Sequence, residues 1–298
     1  MNIPDKKILV TGSNGLLGQS IQYVNNGRFN ICATGKGEPR IDMNCSDYET
    51  MDILNSKECD RVVGSFNPDV LIHSAAMTNV DDCETHPTVC NNINVEGTKN
   101  VIGACEKNGV HLIFISTDFI FDGENGPYSE DSKENPLSVY GKSKADAEKL
   151  VISSSCKWTI VRTTLVIGYF PGYKSSNIIL WARNKLKTGE RLSVVYDQVR
   201  SPTWSIDLAE GCLLIAEKGT FGIYNLSGPD TMSIVDLVRN VALHGNYDLT
   251  LIDEVDSKTL GQAARRPTMT GLDISKAKNE FGYKPHSFVE VLESIPYI

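Results

Sequence analysis

The sequence predicts an α/β protein with a doubly wound parallel sheet and a smaller C-terminal lobe. Short apolar runs alternate with helical patterns in the first half of the chain, and a glycine-rich turn follows the first run. After about residue 165 the alternation loosens. Alternating strands and helices indicate parallel strands joined by right-handed crossovers. In such sheets ligands bind beyond the carboxyl ends of the strands.

The first predicted strand, at 6–10, leads into a glycine turn at 11–18 (TGSNGLLG) and then into a helical pattern. Gly12, Gly15 and Gly18 have the spacing G-x-x-G-x-x-G, which differs from the common G-x-G-x-x-G. Glycines let backbone N–H groups approach a pyrophosphate at the helix N-terminus, where the helix dipole favours negative charge. An ordinary strand-to-helix turn is the alternative.

The remaining elements follow in order. Further strands are predicted at 30–34, 69–75, 111–117 and 158–163, with a long helix at 87–107. A loop at 168–173, helices near 175–187 and 205–217, and a strand near 223–227 come next. We expect a dinucleotide-binding domain at 1–165, to which the chain returns near 192–218, and mainly a substrate-binding lobe at 166–298.

Tyr140 and Lys144 stand four positions apart in a segment rich in helix-forming residues, so we expect both side chains on one helix face. A free tyrosine has a pKa of about 10. A nearby ammonium ion should lower this pKa and suit the phenol to proton exchange with a carbonyl or alcohol oxygen. An exposed helix with no special role is the alternative, but the glycine turn upstream favours catalysis.

Composition narrows the class of protein. The chain has 298 residues, 41% of them hydrophobic, and a formal net charge of −8 without a basic stripe, which argues against a nucleic-acid partner. It contains no run long enough for a membrane span and no apolar signal-peptide core. The eight cysteines form no C-x-x-C pair and the five histidines are scattered. We therefore expect a cytoplasmic protein with reduced thiols and no structural metal, and a homodimer is compatible with the sequence.

Several further motifs complete a family resemblance. These are 73–81 (HSAAMTNVD), 94–98 (NVEGT), 116–123 (STDFIFDG), 201–203 (SPT) and 266–272 (RPTMTGL). With the glycine turn, Tyr140 and Lys144, they resemble the extended short-chain dehydrogenase/reductase family over nearly the whole chain, and within it the dTDP-4-dehydrorhamnose reductases. The resemblance implies a Rossmann-type NAD(P)-binding sheet. It also implies NADPH-dependent reduction of the 4-keto group of a nucleotide-linked 6-deoxy sugar.

The resemblance also implies roles for individual residues. By motif position, Thr117 hydrogen-bonds the substrate oxygen, Tyr140 supplies the proton, and Lys144 holds the nicotinamide ribose. The cofactor-binding residues are Gly12, Asn14, Gly15, Leu16, Leu17, Gly18, Lys36, Asp52, Ile53, Ala75, Ala76, Thr78, Tyr140 and Lys144. For Thr117 the alternative is a strand-end hydroxyl that satisfies backbone groups. Asn94 is either a structural or proton-relay residue or part of helix packing.

Four residues are expected to bind the substrate: Asp118, Phe119, Arg200 and Arg266. An acidic protein needs local cations to bind a dianionic nucleotide sugar, and the planar guanidinium suits a diphosphate. The candidate cations of the C-terminal lobe are Arg200, Arg265 and Arg266. Arg266 matches the C-terminal substrate motif of the family, and a surface arginine beside a turn is the alternative.

Cofactor choice depends on the end of the second predicted strand. An NAD-dependent enzyme usually carries Asp or Glu about 20 residues after the glycine turn. No acid stands at the tip here, since Glu38 and Asp42 come late, whereas Lys36 and Arg40 are placed to meet a 2′-phosphate. Solvated loop charges are the alternative. We expect NADPH, with NADH also accepted.

Three residues bear on the competing functions. Phe119 argues against dehydration, because related dehydratases carry glutamate there and a phenyl ring cannot accept a proton. Epimerases use the same catalytic triad and stay an alternative. Leu165 and Arg200 depart from the usual reductase pattern. With arginine at position 200, this segment also resembles that of the methionine adenosyltransferase beta subunits. A non-catalytic nucleotide-binding regulatory subunit is therefore a further alternative.

Overall fold

The computed structural model describes residues 6–39, 47–170 and 177–296. The strands are β1 (Lys7–Thr11), β2 (Asn30–Gly35), β3 (Asp47–Thr50), β4 (Val70–His73), β5 (His111–Thr117), β6 (Trp158–Thr163), β7 (Val166–Ile167), β8 (Leu192–Val195), β9 (Val199–Arg200), β10 (Thr203–Trp204), β11 (Gly222–Asn225), β12 (Met232–Ser233) and β13 (Ile252–Val255). Seven of them form one sheet in the order β11-β6-β5-β4-β1-β2-β3. Every neighbouring pair in this sheet is parallel. The predicted doubly wound α/β fold is confirmed.

The helices alternate with these strands. They are α1 (Leu16–Asn25), α2 (Ser56–Phe66), α3 (Val80–Thr85), α4 (Pro87–Asn91), α5 (Gly97–Asn108), α6 (Val139–Ser153), α7 (Ile178–Lys187), α8 (Ser205–Lys218), α9 (Ile234–His244), α10 (Ser275–Phe281) and α11 (Phe288–Ser294). A π-helical turn at Asn92–Glu96 joins α4 to α5, so the long predicted helix is present. Short 3₁₀ turns occupy Asp118–Ile120 and Leu249–Leu251.

The sheet is buried on both faces. Ile8 and Val10 of β1 pack against α1 and α8 on one face, whereas Leu9 packs against α2, α5 and α6 on the other. Alternate residues of a strand point to opposite faces, which is why continuous apolar runs mark the central strands. Burying each such aliphatic side chain contributes roughly 1.5–3 kcal/mol.

A third apolar cluster lies outside this sheet and joins α7, α9 and α11 with β8. The strand pairs β8–β13, β9–β12 and β7–β10 belong to this part of the chain. The chain also returns to the main sheet, since α8 shares the apolar cluster of β1 and β11 extends the sheet beside β6. The division into two domains at 165 stays a prediction. Within the described ranges, no helix is long and apolar enough to cross a membrane.

Candidate active site

One cleft of about 1090 Å³ lies along the carboxyl ends of β1, β4, β5 and β6. Its lining includes the three predicted catalytic residues and all the predicted cofactor-binding residues, namely Gly12, Asn14, Gly15, Leu16, Leu17, Gly18, Lys36, Asp52, Ile53, Ala75, Ala76, Thr78, Thr117, Tyr140 and Lys144. Asp118 and Phe119 line it as well. Although both are within the described part of the chain, Arg200 and Arg266 are not part of the lining.

The glycine turn is shaped for close approach. Gly12 has a φ of +68°, and a Cβ there would lie 2.8 Å from the Cα of Ala75. A Cβ on Gly18 would lie 2.4 Å from the Cα of Ser13. Side chains are therefore excluded from both positions, and α1 begins at Leu16 with no acidic residue in its first turn. The N-terminus of α1 thus offers unpaired N–H groups to an anion, which fits a pyrophosphate.

Lys36 follows β2 at the adenine end of the predicted cofactor site. Its ammonium lies 3.2 Å from a carboxylate oxygen of Asp52, and its side chain is 79% exposed. Such an exposed pair contributes little to stability and leaves the lysine free to meet a second anion. Arg40, the other candidate for the 2′-phosphate, and the acidic residue Asp42 lie outside the described residues.

The predicted catalytic residues come from two neighbouring elements. Thr117 ends β5, while Tyr140 and Lys144 lie on the buried face of α6. The Ser138 hydroxyl caps this helix by accepting a hydrogen bond from the Gly141 N–H at 3.1 Å. Strand and capped helix together bring the hydroxyl, the phenol and the amine to one cleft.

Burial dominates the protonation of this site. It raises the pKa of the Tyr140 phenol above its usual value, although a hydrogen bond with Thr117 acts in the opposite direction. Burial also lowers the pKa of Lys144 to about 7, against the opposing charge of Glu148. The pKa of Tyr140 is therefore raised and not lowered in this structure, because the loss of hydration is the largest cause. The effect of the Lys144 charge on the phenol stays a prediction.

Aromatic rings frame the pair. The Phe119 ring meets the Tyr140 ring edge to face, with 5.7 Å between centroids. The Lys144 ammonium lies 4.0 Å from the centroid of Phe114, which is a cation–π contact. Phe119 therefore packs on the proposed proton donor, and it carries no proton-accepting group.

Asn94 is a buried cross-link. Its amide donates to the Ser143 hydroxyl at 3.0 Å and to the Met77 carbonyl at 3.0 Å, and its carbonyl accepts from the Met77 N–H at 2.8 Å. These contacts tie α6 to the segment after β4. Of the two sequence interpretations, the contacts favour a structural residue.

Asp118 and Arg200 form a buried pair behind Phe119. The Arg200 Nε lies 3.6 Å from an Asp118 carboxylate oxygen, and the two side chains are 4% and 2% exposed. Arg200 also donates to the carbonyls of Pro267 at 2.7 Å and Thr268 at 3.1 Å. The Thr270 hydroxyl donates to Asp118. Burial raises the pKa of Asp118, with Arg200 opposing it. The Arg200 guanidinium is thus held by Asp118 and by backbone carbonyls of the protein itself.

Arg266 forms a forked ion pair with Asp81. Its two terminal nitrogens donate to the two carboxylate oxygens at 3.1 and 2.7 Å. Asp81 comes directly after Asn79 and Val80, which line the cleft. Arg266 therefore lies beside the cleft, on the side of the C-terminal half.

Three further cleft residues were given no role from the sequence. Thr163 ends β6, and the rule that ligands meet strand ends pointed to this position without assigning it a role. Leu165 lines the cleft with a φ of +40°, an uncommon conformation for a branched residue that no sequence pattern reveals. Asn177 caps α7 and reaches the cleft from a distant part of the chain.

The chain matches one protein family over nearly its whole length. Residues 6–296 match the family described as RmlD substrate binding domain. The chain belongs to that family. The dTDP-4-dehydrorhamnose reductase of Aggregatibacter actinomycetemcomitans is 31% identical over 303 residues, covering 97% of this chain and 98% of that protein. Methionine adenosyltransferase 2 subunit beta of Bos taurus is 28% identical over 285 residues, covering 93% of this chain and 83% of that protein.

Solved structures agree with this placement. The dTDP-4-dehydrorhamnose reductase of Bacillus anthracis in complex with NADP has a TM-score of 0.86 and 27% identity, with 97% of this chain and 98% of that chain covered. The orthologue from Clostridium acetobutylicum has a TM-score of 0.85 and 29% identity, with 97% of each chain covered. The predicted family and fold class are confirmed, and the similarity to these reductases, one of them solved with NADP, agrees with the predicted NAD(P)-dependent oxidoreductase. The residue roles and the homodimer stay predictions.

Proposed function

We propose that this protein uses NADPH to reduce the 4-keto group of a nucleotide-linked 6-deoxy sugar, as in the conversion of dTDP-4-dehydrorhamnose to dTDP-rhamnose. The observation that carries the proposal is the meeting of the glycine turn with Thr117, Tyr140 and Lys144 in one cleft. The similarity to reductases named for this reaction supports the same substrate class.

The cofactor would be held by the glycine turn and by two lysines, Lys36 after β2 and Lys144 on α6. The close-packed glycines and the N-terminus of α1 would hold the pyrophosphate, and Lys36 would meet the 2′-phosphate. Lys144 would hold the nicotinamide ribose. Bound NADPH supplies the hydride for the reduction.

Tyr140 would donate the proton. The phenol is protonated at neutral pH, as donation requires, and the alkoxide that forms from the carbonyl is basic enough to take its proton. The Thr117 hydroxyl would orient that oxygen by donating a hydrogen bond. The Lys144 ammonium would stabilise the phenolate left behind, since an ammonium ion in a buried site interacts strongly with a nearby anion.

The substrate would extend from this triad toward the C-terminal half. We assign residues 166–298 mainly to a substrate-binding lobe, with Arg266 as the cation for the diphosphate. Asp118 and Phe119 line the cleft next to Thr117 and would border the sugar. A diphosphate would have to displace the Asp81 carboxylate from Arg266 or share the guanidinium with it. The Asp81 side chain is 38% exposed and so open to exchange.

A second candidate function rests on the similarity to methionine adenosyltransferase 2 subunit beta. In that case the cleft would bind a nucleotide in a regulatory partner protein without turnover. The intact set of Thr117, Tyr140 and Lys144 favours the reductase.

The proposal is tested by incubating the purified protein anaerobically with NADPH and a panel of 4-keto-6-deoxy nucleotide sugars. We expect loss of nicotinamide absorbance with at least one sugar, and none without sugar. An epimerase would convert the sugar without net consumption of NADPH. A regulatory subunit would bind NADPH and leave every sugar unchanged, and either result would overturn the proposal.

A further inference from the structure

A buried carboxylate lies one helical turn beyond Lys144. Glu148 shares the inner face of α6 with Tyr140 and Lys144, because the three residues follow each other at intervals of four. Its side chain is fully buried. An acidic side chain without solvent contact is rare unless a partner holds its charge.

Three elements meet at this carboxylate. Arg162 of β6 donates to it through Nη2 at 2.7 Å and through Nε at 3.1 and 3.2 Å. The hydroxyl of Ser116, the residue before Thr117 on β5, also donates to it. Glu148 therefore links the helix that carries Tyr140 and Lys144 to the two strands that end in Thr117 and Thr163.

The other titratable groups around Lys144 carry little negative charge. Burial, with the lysine charge acting in the same direction, lowers the pKa of His73 on β4 to about 3, so that imidazole is neutral. Tyr140 keeps its proton at neutral pH. Cys90 of α4 acts on the pKa of Lys144 in the same direction as Glu148, but less strongly. The Phe114 ring offers only its quadrupole. Glu148 is thus the carboxylate that opposes the burial of Lys144.

We propose that Glu148 is a positioning residue that keeps Lys144 an ammonium ion and fixes the catalytic helix against the strand that carries Thr117. The inference rests on the proposed role of Lys144 in the reductase, and it names a residue that the proposed mechanism does not use. Arg162 is the partner charge of the buried carboxylate, while Glu148, one turn from Lys144 on the same helix face, acts on the lysine.

The charge of Lys144 is finely balanced at neutral pH. With a pKa of about 7, the side chain is an ammonium ion below pH 7 and loses its proton as the pH rises through that value. Without the Glu148 charge, the loss of hydration would be opposed mainly by the smaller effect of Cys90. Removing an opposite charge at close range shifts a pKa by about 1–3 pH units. The proton would then be lost at a more acidic pH.

The test follows the titration of Lys144 in the full chain. The protein is produced with isotope-labelled lysine, whose ε-carbon resonance moves when the amine loses its proton. The signal of Lys144 is the one absent from Lys144→Arg. We expect a midpoint near pH 7 in the wild type and a midpoint at least about one unit lower in Glu148→Gln, which keeps the size of the side chain.

Two further variants separate charge from structure. Asp146→Asn removes an acid from the same helix that is half-exposed and paired with Lys149, so it should leave the midpoint unchanged. The double variant Glu148→Gln with Arg162→Gln removes both members of the buried pair and leaves no unpaired buried charge. It should still lower the midpoint, by less than Glu148→Gln does, because the two removed charges are opposite and Glu148 is the one on the helix face of Lys144. This variant keeps the test valid if Glu148→Gln alone does not fold.

Binding provides a second readout. The dissociation constant of NADPH, followed by tryptophan fluorescence, should rise with pH as Lys144 loses its proton, and this rise should begin at lower pH in Glu148→Gln. An unchanged midpoint in a folded Glu148→Gln protein would overturn the inference. Neither readout needs a sugar substrate, so failure here is distinct from failure to reduce a nucleotide sugar.

Discussion

The glycine turn and the two arginines of the C-terminal half are held in different ways. At the turn, close backbone packing builds the site, since Gly18 packs against Ser13 of the same segment and Gly12 packs against the backbone of Ala75, just after the adjacent strand β4. Arg200 and Arg266 instead bond to partners far away in sequence, which are Asp118 and Asp81. Where a motif fixes the local geometry, the position of a residue can be predicted from the sequence. The role of an arginine also depends on its ion-pair partner, which lies far away in the sequence.

The largest effect should come from Tyr140, which, like the glycine turn, was identified from a sequence motif. Tyr140→Phe removes only the hydroxyl, so kcat should fall by a factor of about 10²–10⁴, the usual contribution of general acid catalysis. The affinity for NADPH should change little because the ring stays in place. Steady-state kinetics of both proteins measure this, with Tyr196→Phe, an exposed tyrosine, as the control. Near-normal turnover by Tyr140→Phe would remove this residue from the mechanism.

On the long-range side, Arg200 should matter for stability. Arg200→Met leaves the buried Asp118 carboxylate without its guanidinium, which should lower the free energy of unfolding by about 3 kcal/mol. Urea denaturation measures the loss. Arg191→Met is the matched control, because its pair with Asp253 is exposed and should contribute about 1 kcal/mol or less. A stable Arg200→Met protein with a raised KM for the sugar would show instead that Arg200 binds substrate.

Arg266 should sharpen the comparison, since it is paired yet lies beside the cleft. Arg266→Ala should raise KM for the nucleotide sugar by about 10- to 150-fold, the effect of losing a charge-assisted contact of about 1.5–3 kcal/mol. NADPH affinity should stay the same. Arg239→Ala is the control, because this arginine is also paired with a carboxylate, that of Glu254, but is not part of the cleft lining. If KM is unchanged in folded Arg266→Ala, the diphosphate binds elsewhere.

The smallest effect is expected at Lys36, an exposed residue at the adenine end of the predicted cofactor site. Lys36→Ala should raise the dissociation constant of NADPH by roughly 5-fold, the value of about 1 kcal/mol for an exposed contact, and leave that of NADH almost unchanged. Fluorescence titration with both nucleotides measures it, with the exposed Lys57→Ala as control. Tighter binding of NADH than NADPH, indifferent to Lys36→Ala, would reverse the expected cofactor preference.

The sequence predicted the sheet well because its strands are buried on both faces. The strand from His111 to Thr117 has the predicted bounds, as does the strand from Trp158 to Thr163. By contrast β3 is short, partly exposed and at the edge of the sheet, so it has no apolar run to reveal it. The segment after His73 leaves the strand early because Ser74 and Ala75 turn into the cleft.

The candidate site was predictable where a motif carried its own geometry. Tyr140 and Lys144 lie on one helix face, as their spacing predicts, and line the same cleft as the glycine turn. Their protonation was not predictable, since it depends on how deeply the fold buries them. Glu148 escaped notice for the same reason, because its partners Ser116 and Arg162 come from other elements.

The central claim is that this cleft transfers hydride from NADPH to a sugar carbonyl. It is tested most directly with NADPH that carries deuterium at the transferred position of the nicotinamide, incubated with the protein and a 4-keto-6-deoxy nucleotide sugar. We predict one deuterium at C4 of the sugar product for each NADPH consumed, and almost none with Tyr140→Phe over the same time. Deuterium that stays on the nicotinamide while the wild-type protein binds both ligands would contradict the claim.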